Sequence, residues 1–294
     1  MQLVKELKEL LKEKRYSIAF AAKAMDISKT TLHLWMNGKY SGNIEKIEDA
    51  VDRFIEIEKL REGNIKLPFI TTSIVQDVYD IAKTCHVESE IGVCYGVAGL
   101  GKTFAVKRYA LDNPDVILIE ADLGYTPKVL FSEIHKKLGF DGFGTIHKMF
   151  LDIIERLKGS GRLIIVDEAE HLPYKSLELL RRIYDKAEVG ILLVGMQRLL
   201  DNLKGEKQQY AQLFSRVGIK TKLNTLTSID EKAIISCVIE NYNDVYDVLS
   251  THCAGNTRVL SKILARSLRI ASINRVEMNE DVVQASIEQI IMSN

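Results

Sequence analysis

The sequence predicts an α/β protein in which a parallel sheet covered by helices carries a glycine-rich turn. An all-α helix-turn-helix segment precedes it and a helical lid follows. Three observations predict this. The apolar runs "IGVCY", "VILIEA", "RLIIVDE" and "VGILLVGM" have strand length and alternate with helical patterns, as in a parallel sheet with helical crossovers. A cluster of glycines follows the first run directly. Strands stop at Ser228, and everything before about residue 62 has helical periodicity. The expected domains are 1–64, 65–226 and 227–294, with a linker in "REGNIKLPF", where Gly63, Asn64 and Pro68 break the pattern.

Composition narrows the function classes. The chain has 294 residues, 46% hydrophobic and 27% charged, which is globular rather than disordered. Lys+Arg and Asp+Glu both total 40, so binding to nucleic acid must come from local basic patches and not from a global field. The cysteines, Cys85, Cys94, Cys237 and Cys253, form no C-x-x-C pair, which points to reduced thiols rather than a disulfide framework or a metal site. The start, "MQLVKELKELLKEKRYS", carries both signs of charge and lacks the continuous apolar core of a signal peptide. No run approaches the roughly 20 apolar residues of a membrane span. A cytoplasmic protein without membrane partners is expected.

In the all-α segment, Ser17 and Ser28 are expected helix N-caps. Ala21 and Ala22 are small enough for two helices to cross closely, and Ile27, Leu32 and Trp35 recur at helical spacing as a small core. The pattern "YSIAFAAKAMDISKTTLHLWMNGKYSGN" resembles a phage-repressor helix-turn-helix, with the second helix from about Ser28 to Met36. Lys29, Thr30, Thr31 and His33 are then candidate DNA contacts and Lys39 a candidate phosphate contact. Such modules also serve as protein-docking domains.

In the sheet domain, Gly96, Gly99, Gly101, Lys102 and Thr103 fit G-x-x-x-x-G-K-[ST]. Glycines let the backbone turn tightly and bring its N–H groups against phosphate oxygens. The helix that starts near Lys102 aims its positive end at the same place. Gly96, Gly99, Leu100, Gly101, Lys102 and Thr103 are therefore the candidate cradle for ATP, with Lys102 reaching the β- and γ-phosphates and the Thr103 hydroxyl holding Mg²⁺. The plain alternative is a glycine turn joining strand to helix.

"RLIIVDEAEHL" supplies two adjacent carboxylates at a strand's C-terminal end, where open parallel sheets bind ligands. Asp167 is the candidate for the Mg²⁺ shell and Glu168 for polarising the attacking water. The alternative is that both cap the helix that follows. Positive charge for the γ-phosphate has candidates in Arg216, in "QLFSRVG", and Arg258, in "AGNTRVLSK"; Arg181 and Arg182 read as surface or interface charge.

Taken together, these motifs resemble the AAA+ ATPases, and within them the phage Mu transposition protein B family of target-DNA activators. The likeness covers almost the whole chain and is carried by "NGKYSGNIEKIEDAVDRFIE", "GVAGLGKTFAVKRY", "IIVDEAEHL", "QLFSRV" and "TRVLSKILARSLRIA". The resemblance implies that Arg216 acts in trans on a neighbour's ATP and Arg258 in cis as a sensor. It implies double-stranded DNA and a transposase as partners, self-assembly into a filament on DNA, and a bacterial host cytoplasm. The family pattern asks for a polar sensor at the end of "GILLVGMQR"; Met196 stands there, which leaves Gln197 as the candidate and makes hydrolysis slow or differently triggered. Lys128 and Lys148 are candidates for the inner DNA-facing surface. The implied function is an ATP-dependent, largely sequence-nonspecific DNA-binding protein that activates a transposase, with hydrolysis driving release. Two other functions share these motifs: a helicase loader, and a helix-turn-helix regulator that senses nucleotide.

Overall fold

The computed structural model describes residues 2–62, 68–204 and 215–290. The chain divides into two units, one of residues 1–66 with 265–277 and the other of residues 67–264 with 278–294. The expected boundary at 64/65 and most of the expected linker lie outside the described residues, as do Gln212, Leu213 and Phe214 of "QLFSRV".

The first unit begins with α1 (Gln2–Glu13), α2 (Ile18–Ala24), α3 (Lys29–Met36) and α4 (Ile44–Glu62). Its core gathers Leu7, Leu10 and Leu11 from α1, Ala21 and Ala22 from α2, Leu32 and Trp35 from α3, and Ile47, Val51, Phe54 and Ile55 from α4. Both expected caps form: Ser17 Oγ accepts from the Phe20 amide at 3.1 Å, and Ser28 Oγ from the Thr31 amide at 3.0 Å. Such a cap is worth about 1 kcal/mol. α3 stops because Gly38 turns left-handed, at φ 67°, so the Lys39 amide reaches the Leu34 carbonyl at 2.9 Å and the Gly38 amide the Trp35 carbonyl at 3.0 Å. That pair of bonds is a Schellman ending, which a residue without Cβ enters at least cost.

The second unit contains a five-stranded sheet of order β2-β3-β4-β1-β5 in which every pairing is parallel. The strands are β1 (Ile91–Tyr95), β2 (Val116–Glu120), β3 (Leu163–Asp167), β4 (Gly190–Gly195) and β5 (Val217–Lys222). Alternate side chains feed two cores. Cys94, Leu163, Ile165, Leu192 and Val194 point to one face; Ile91, Val93, Ile164, Val166, Ile191 and Leu193 point to the other. α5 (Ser73–Glu88), α6 (Lys102–Asp112) and the late helices cover the first face. α7 (Pro127–Lys137), α8 (Ile146–Leu157), α9 (Tyr174–Ala187) and α10 (Gln197–Lys204) cover the second. The late helices are α11 (Ser228–Ser236), α12 (Asn243–Cys253), α13 (Thr257–Asn274), which begins in this unit, and α14 (Glu280–Glu288).

The four apolar runs are β1 to β4, and no strand is found after Ser228 among the described residues. β5, α5 and α12 are additions to the sequence reading. β5 is an edge strand whose residues alternate between exposed and half-buried, so "VGIKTK" gives no apolar run. Cys85, Cys94 and Cys253 are buried, and burial pushes each thiol up to about 12, whereas Cys237 is exposed. Among the described residues no helix is long and apolar enough to cross a membrane.

Candidate functional site

β1 ends at Tyr95, and the chain turns through Gly96–Gly101 into α6. Gly99 and Gly101 hold left-handed backbone at φ 85° and 95°, which carries little penalty only for glycine. Gly101 is the N-cap of α6 and no side chain caps that helix, so its first amides have no side-chain acceptor. A Cβ placed on Gly101 would meet nothing within 4 Å, so the mouth of the loop is open. Leu100 is buried beneath it.

Lys102 is itself buried, and its Nζ donates to the Gly96 carbonyl at 2.9 Å and the Val97 carbonyl at 2.8 Å. Burial pulls its ammonium below the ordinary lysine range, and the carboxylates of Glu168, Glu170 and Asp167 oppose that shift. Asp167 closes β3 and is 1% exposed; Oδ1 accepts from the Glu168 amide at 3.0 Å, and Oδ2 lies buried without a hydrogen-bond partner. Burial pushes the Asp167 carboxyl up, while Thr103 and the Glu168 amide pull the other way. An orphaned carboxylate oxygen beside Thr103, below an open loop of amides, is a donor set that fits a hard cation with a phosphate chain.

Glu168 sits in left-handed backbone at φ 52°, uncommon for a residue with a side chain and costing about 1–3 kcal/mol. It is the N-cap of a single 3-10 turn, Ala169–His171, and its side chain makes no cap hydrogen bond. The capping alternative therefore gives no account of its carboxylate. The turn returns Glu170 to the core, where Oε1 accepts from the Met196 amide at 3.1 Å, just past the end of β4. Gln197, the expected sensor, starts α10 with an exposed side chain.

The lid touches the loop through residues that motif reading missed. Asn256 Nδ2 donates to the Ala98 carbonyl at 3.0 Å, the Thr257 hydroxyl to the Leu100 carbonyl at 3.1 Å, and the Arg258 amide to the Gly99 carbonyl at 2.9 Å. Asn256 Oδ1 also caps the start of α13. The "G-N-T" before Arg258 is the available signal, an N-cap after a glycine. These contacts put Arg258, its side chain exposed, at the rim of the loop.

Arg216 lies elsewhere. It precedes Val217, and Val217 pairs in register with Ile91, the first residue of β1, whereas the phosphate loop follows Tyr95, the last. A strand's length, roughly 15 Å at 3.3 Å per residue, separates Arg216 from the loop of its own chain. There its Nε donates to Asp185 Oδ1 at 3.1 Å. Arg181 is pinned to Glu178 and Asp185, and Arg182 to Glu178, so both belong to a surface ion-pair network on α9.

The expected DNA contacts divide between the two units. Lys29, Thr30, His33 and Lys39 are exposed on the first unit, and Thr31 is half-buried with its hydroxyl 2.8 Å from Ser28 Oγ. Lys128 and Lys148 are exposed on the second unit, in the first turns of α7 and α8.

A parallel sheet of this strand order, with an open phosphate loop after β1 and a carboxylate pair closing β3, defines an AAA-type P-loop protein. The AAA domain family matches residues 86–203. The fold is similar to that of ORC2 from Aeropyrum pernix, with TM-score 0.58, 17% identity and cover of 80% of this chain and 72% of that one. Within this class the chain is similar to the phage Mu transposition protein B family of AAA+ proteins. It is 28% identical to the Mu-like prophage FluMu DNA transposition protein B of Haemophilus influenzae, over 90% of this chain and 96% of that protein. It is 25% identical to the ATP-dependent target DNA activator B of Escherichia phage Mu, over 97% of this chain and 93% of that protein.

Proposed function

We propose that the chain is an ATPase that binds target DNA in an ATP-dependent, largely sequence-nonspecific way, assembles on it and activates a transposase. The observation that carries this reading is the split site. Loop, carboxylates and Arg258 lie at one end of the sheet, and Arg216 lies a strand's length away, out of reach of its own loop. A second copy would bring its Arg216 to that loop, and head-to-tail repetition of such a contact builds a filament.

Bound Mg-ATP supplies an anhydride whose hydrolysis is favourable and a cation that screens its charge. Lys102 exchanges its two loop carbonyls for phosphate oxygens. Thr103 and Asp167 are the residues that hold the cation, which gives the orphaned Asp167 oxygen a partner. The Glu168 carboxylate orients a water and accepts its proton. Arg258 contacts the nucleotide of its own subunit, and Arg216 steadies charge on the neighbour's phosphate. Gln197 is the polar group nearest in sequence to the expected sensor position; with Met196 in that position hydrolysis is slow, and the proposed trigger is DNA or transposase. DNA is held mainly through phosphates by lysines such as Lys128 and Lys148, with Lys29, Thr30, Thr31, His33 and Lys39 of the helix-turn-helix adding contacts. Release follows hydrolysis. A bacterial host cytoplasm is the location that this reading expects.

Retention of random-sequence duplex on a filter, with and without ATP and Mg²⁺, tests the reading. Lys102→Ala is expected to lose ATP-dependent retention, because the phosphates lose a direct cation. Glu168→Gln is expected to bind ATP, turn over about a hundredfold more slowly and dwell longer on DNA. Unchanged retention by Lys102→Ala would remove the loop from the mechanism.

A further inference from the structure

The first unit holds a groove of about 750 Å³ between α1, the end of α3 and the start of α4. Its base is apolar, built from Trp35, Met36 and Tyr40, with Val4 and Ile44 beside them. Its rim carries Lys5, Lys8 and Lys12, which fall at three- and four-residue spacing and so share one face of α1. Lys8 and Lys12 have no carboxylate within ion-pair distance among the described residues, and Lys5 meets Glu9 only at 4.0 Å, with both side chains exposed. Three ammonium groups thus face the groove against two carboxylates, Glu9 and Glu48.

We propose that this groove docks an acidic amphipathic segment of a partner protein. Lys5 to Lys12 span about 10 Å along the axis of α1, the length of about two helical turns. A partner helix of that length places two apolar side chains, at i and i+4, over Trp35 and Tyr40, and its flanking carboxylates meet the lysine rim. Charge favours this occupant twice: the free ammonium groups attract carboxylates, and the lysine stems extend the apolar wall. A duplex fits less well, because the base is apolar and two carboxylates line the wall. Of the residues expected to meet DNA, Lys29 to Thr31 lie at the other end of α3, while Lys39 falls in sequence between the groove's Gly38 and Tyr40. The groove shares no residue with the nucleotide site, so this inference stands apart from the proposed function.

The chain's single tryptophan is Trp35, so tryptophan emission, excited selectively over the tyrosines, reports on this groove. The full-length protein is titrated with a capped synthetic helix bearing leucines on one face and glutamates on its flanks. The expected result is a saturable change in tryptophan emission that weakens with salt. It should be lost with a lysine-for-glutamate version of the peptide and weakened about tenfold or more in Lys8→Glu/Lys12→Glu. Both lysines are exposed, and unchanged helical circular dichroism confirms that the variant folds. Three outcomes overturn the proposal: no saturable response to the acidic helix, an equal response to the basic one, or a response to random duplex DNA that competes with the peptide.

Discussion

Glu170 joins the turn after β3 to the end of β4. One carboxylate oxygen takes the Met196 amide, and the other is buried without a partner, so close to Gly195 that a Cβ there would lie 2.1 Å away. Glu170→Ala is expected to cost about 1–2 kcal/mol, because a part-buried N–H loses its acceptor. Glu170→Gln keeps a carbonyl oxygen for that N–H and is expected to lose less than about 1 kcal/mol. Denaturant midpoints of the two variants decide, and equal losses would deny the amide bond any role. Nothing in "DEAEH" marks Glu170, because its partner lies far along the chain. Asp167 and Glu168 were legible because an apolar strand ends at them, and Gly99 and Gly101 because only a left-handed turn explains glycine there. Asn256 and Thr257 escaped notice because their acceptors are loop carbonyls, which every residue owns.

Between elements, Asp230 works as a clasp. Its carboxylate accepts from the Ser73 amide at 2.7 Å and the Ser73 hydroxyl at 2.6 Å, at the head of α5. It also accepts from the Thr227 amide at 3.0 Å and the Thr227 hydroxyl at 2.7 Å, at the head of α11. Burial opposes ionisation, yet the Ser73 and Thr227 donors hold the carboxyl below the usual aspartate range. A folded-state value below the unfolded one stabilises the fold above the unfolded aspartate range and ceases to do so as pH falls through the folded value. Thermal stability is therefore expected to drop in acid, below about pH 4, more steeply in the wild type than in Asp230→Asn. Parallel curves would mean that the clasp does not titrate. The Thr-x-x-Asp spacing was readable as a helix start, but its reach to Ser73 was not. β5 was equally hidden, since an edge strand with one wet face has no apolar signature.

At the scale of the whole molecule, Arg216 lies away from its own loop, and on the proposed reading activity is a property of pairs. Lys102→Ala and Arg216→Ala are each expected to be inactive alone. Mixed in equal amounts, they should recover about a quarter of wild-type ATPase, since random head-to-tail pairing sets an intact loop against an intact arginine that often. No recovery would mean that the two residues never share a site. Electrostatic balance gave no hint of assembly, because equal numbers of opposite charges leave no field to read. The cysteine thiols also bear on testing for such an assembly. Three of the four are shut inside and stay protonated at neutral pH, so an alkylating dye finds only Cys237, just past α11. The chain thus offers a native attachment point for a fluorophore, and the proposed arrival on a duplex can be tested without engineering a handle.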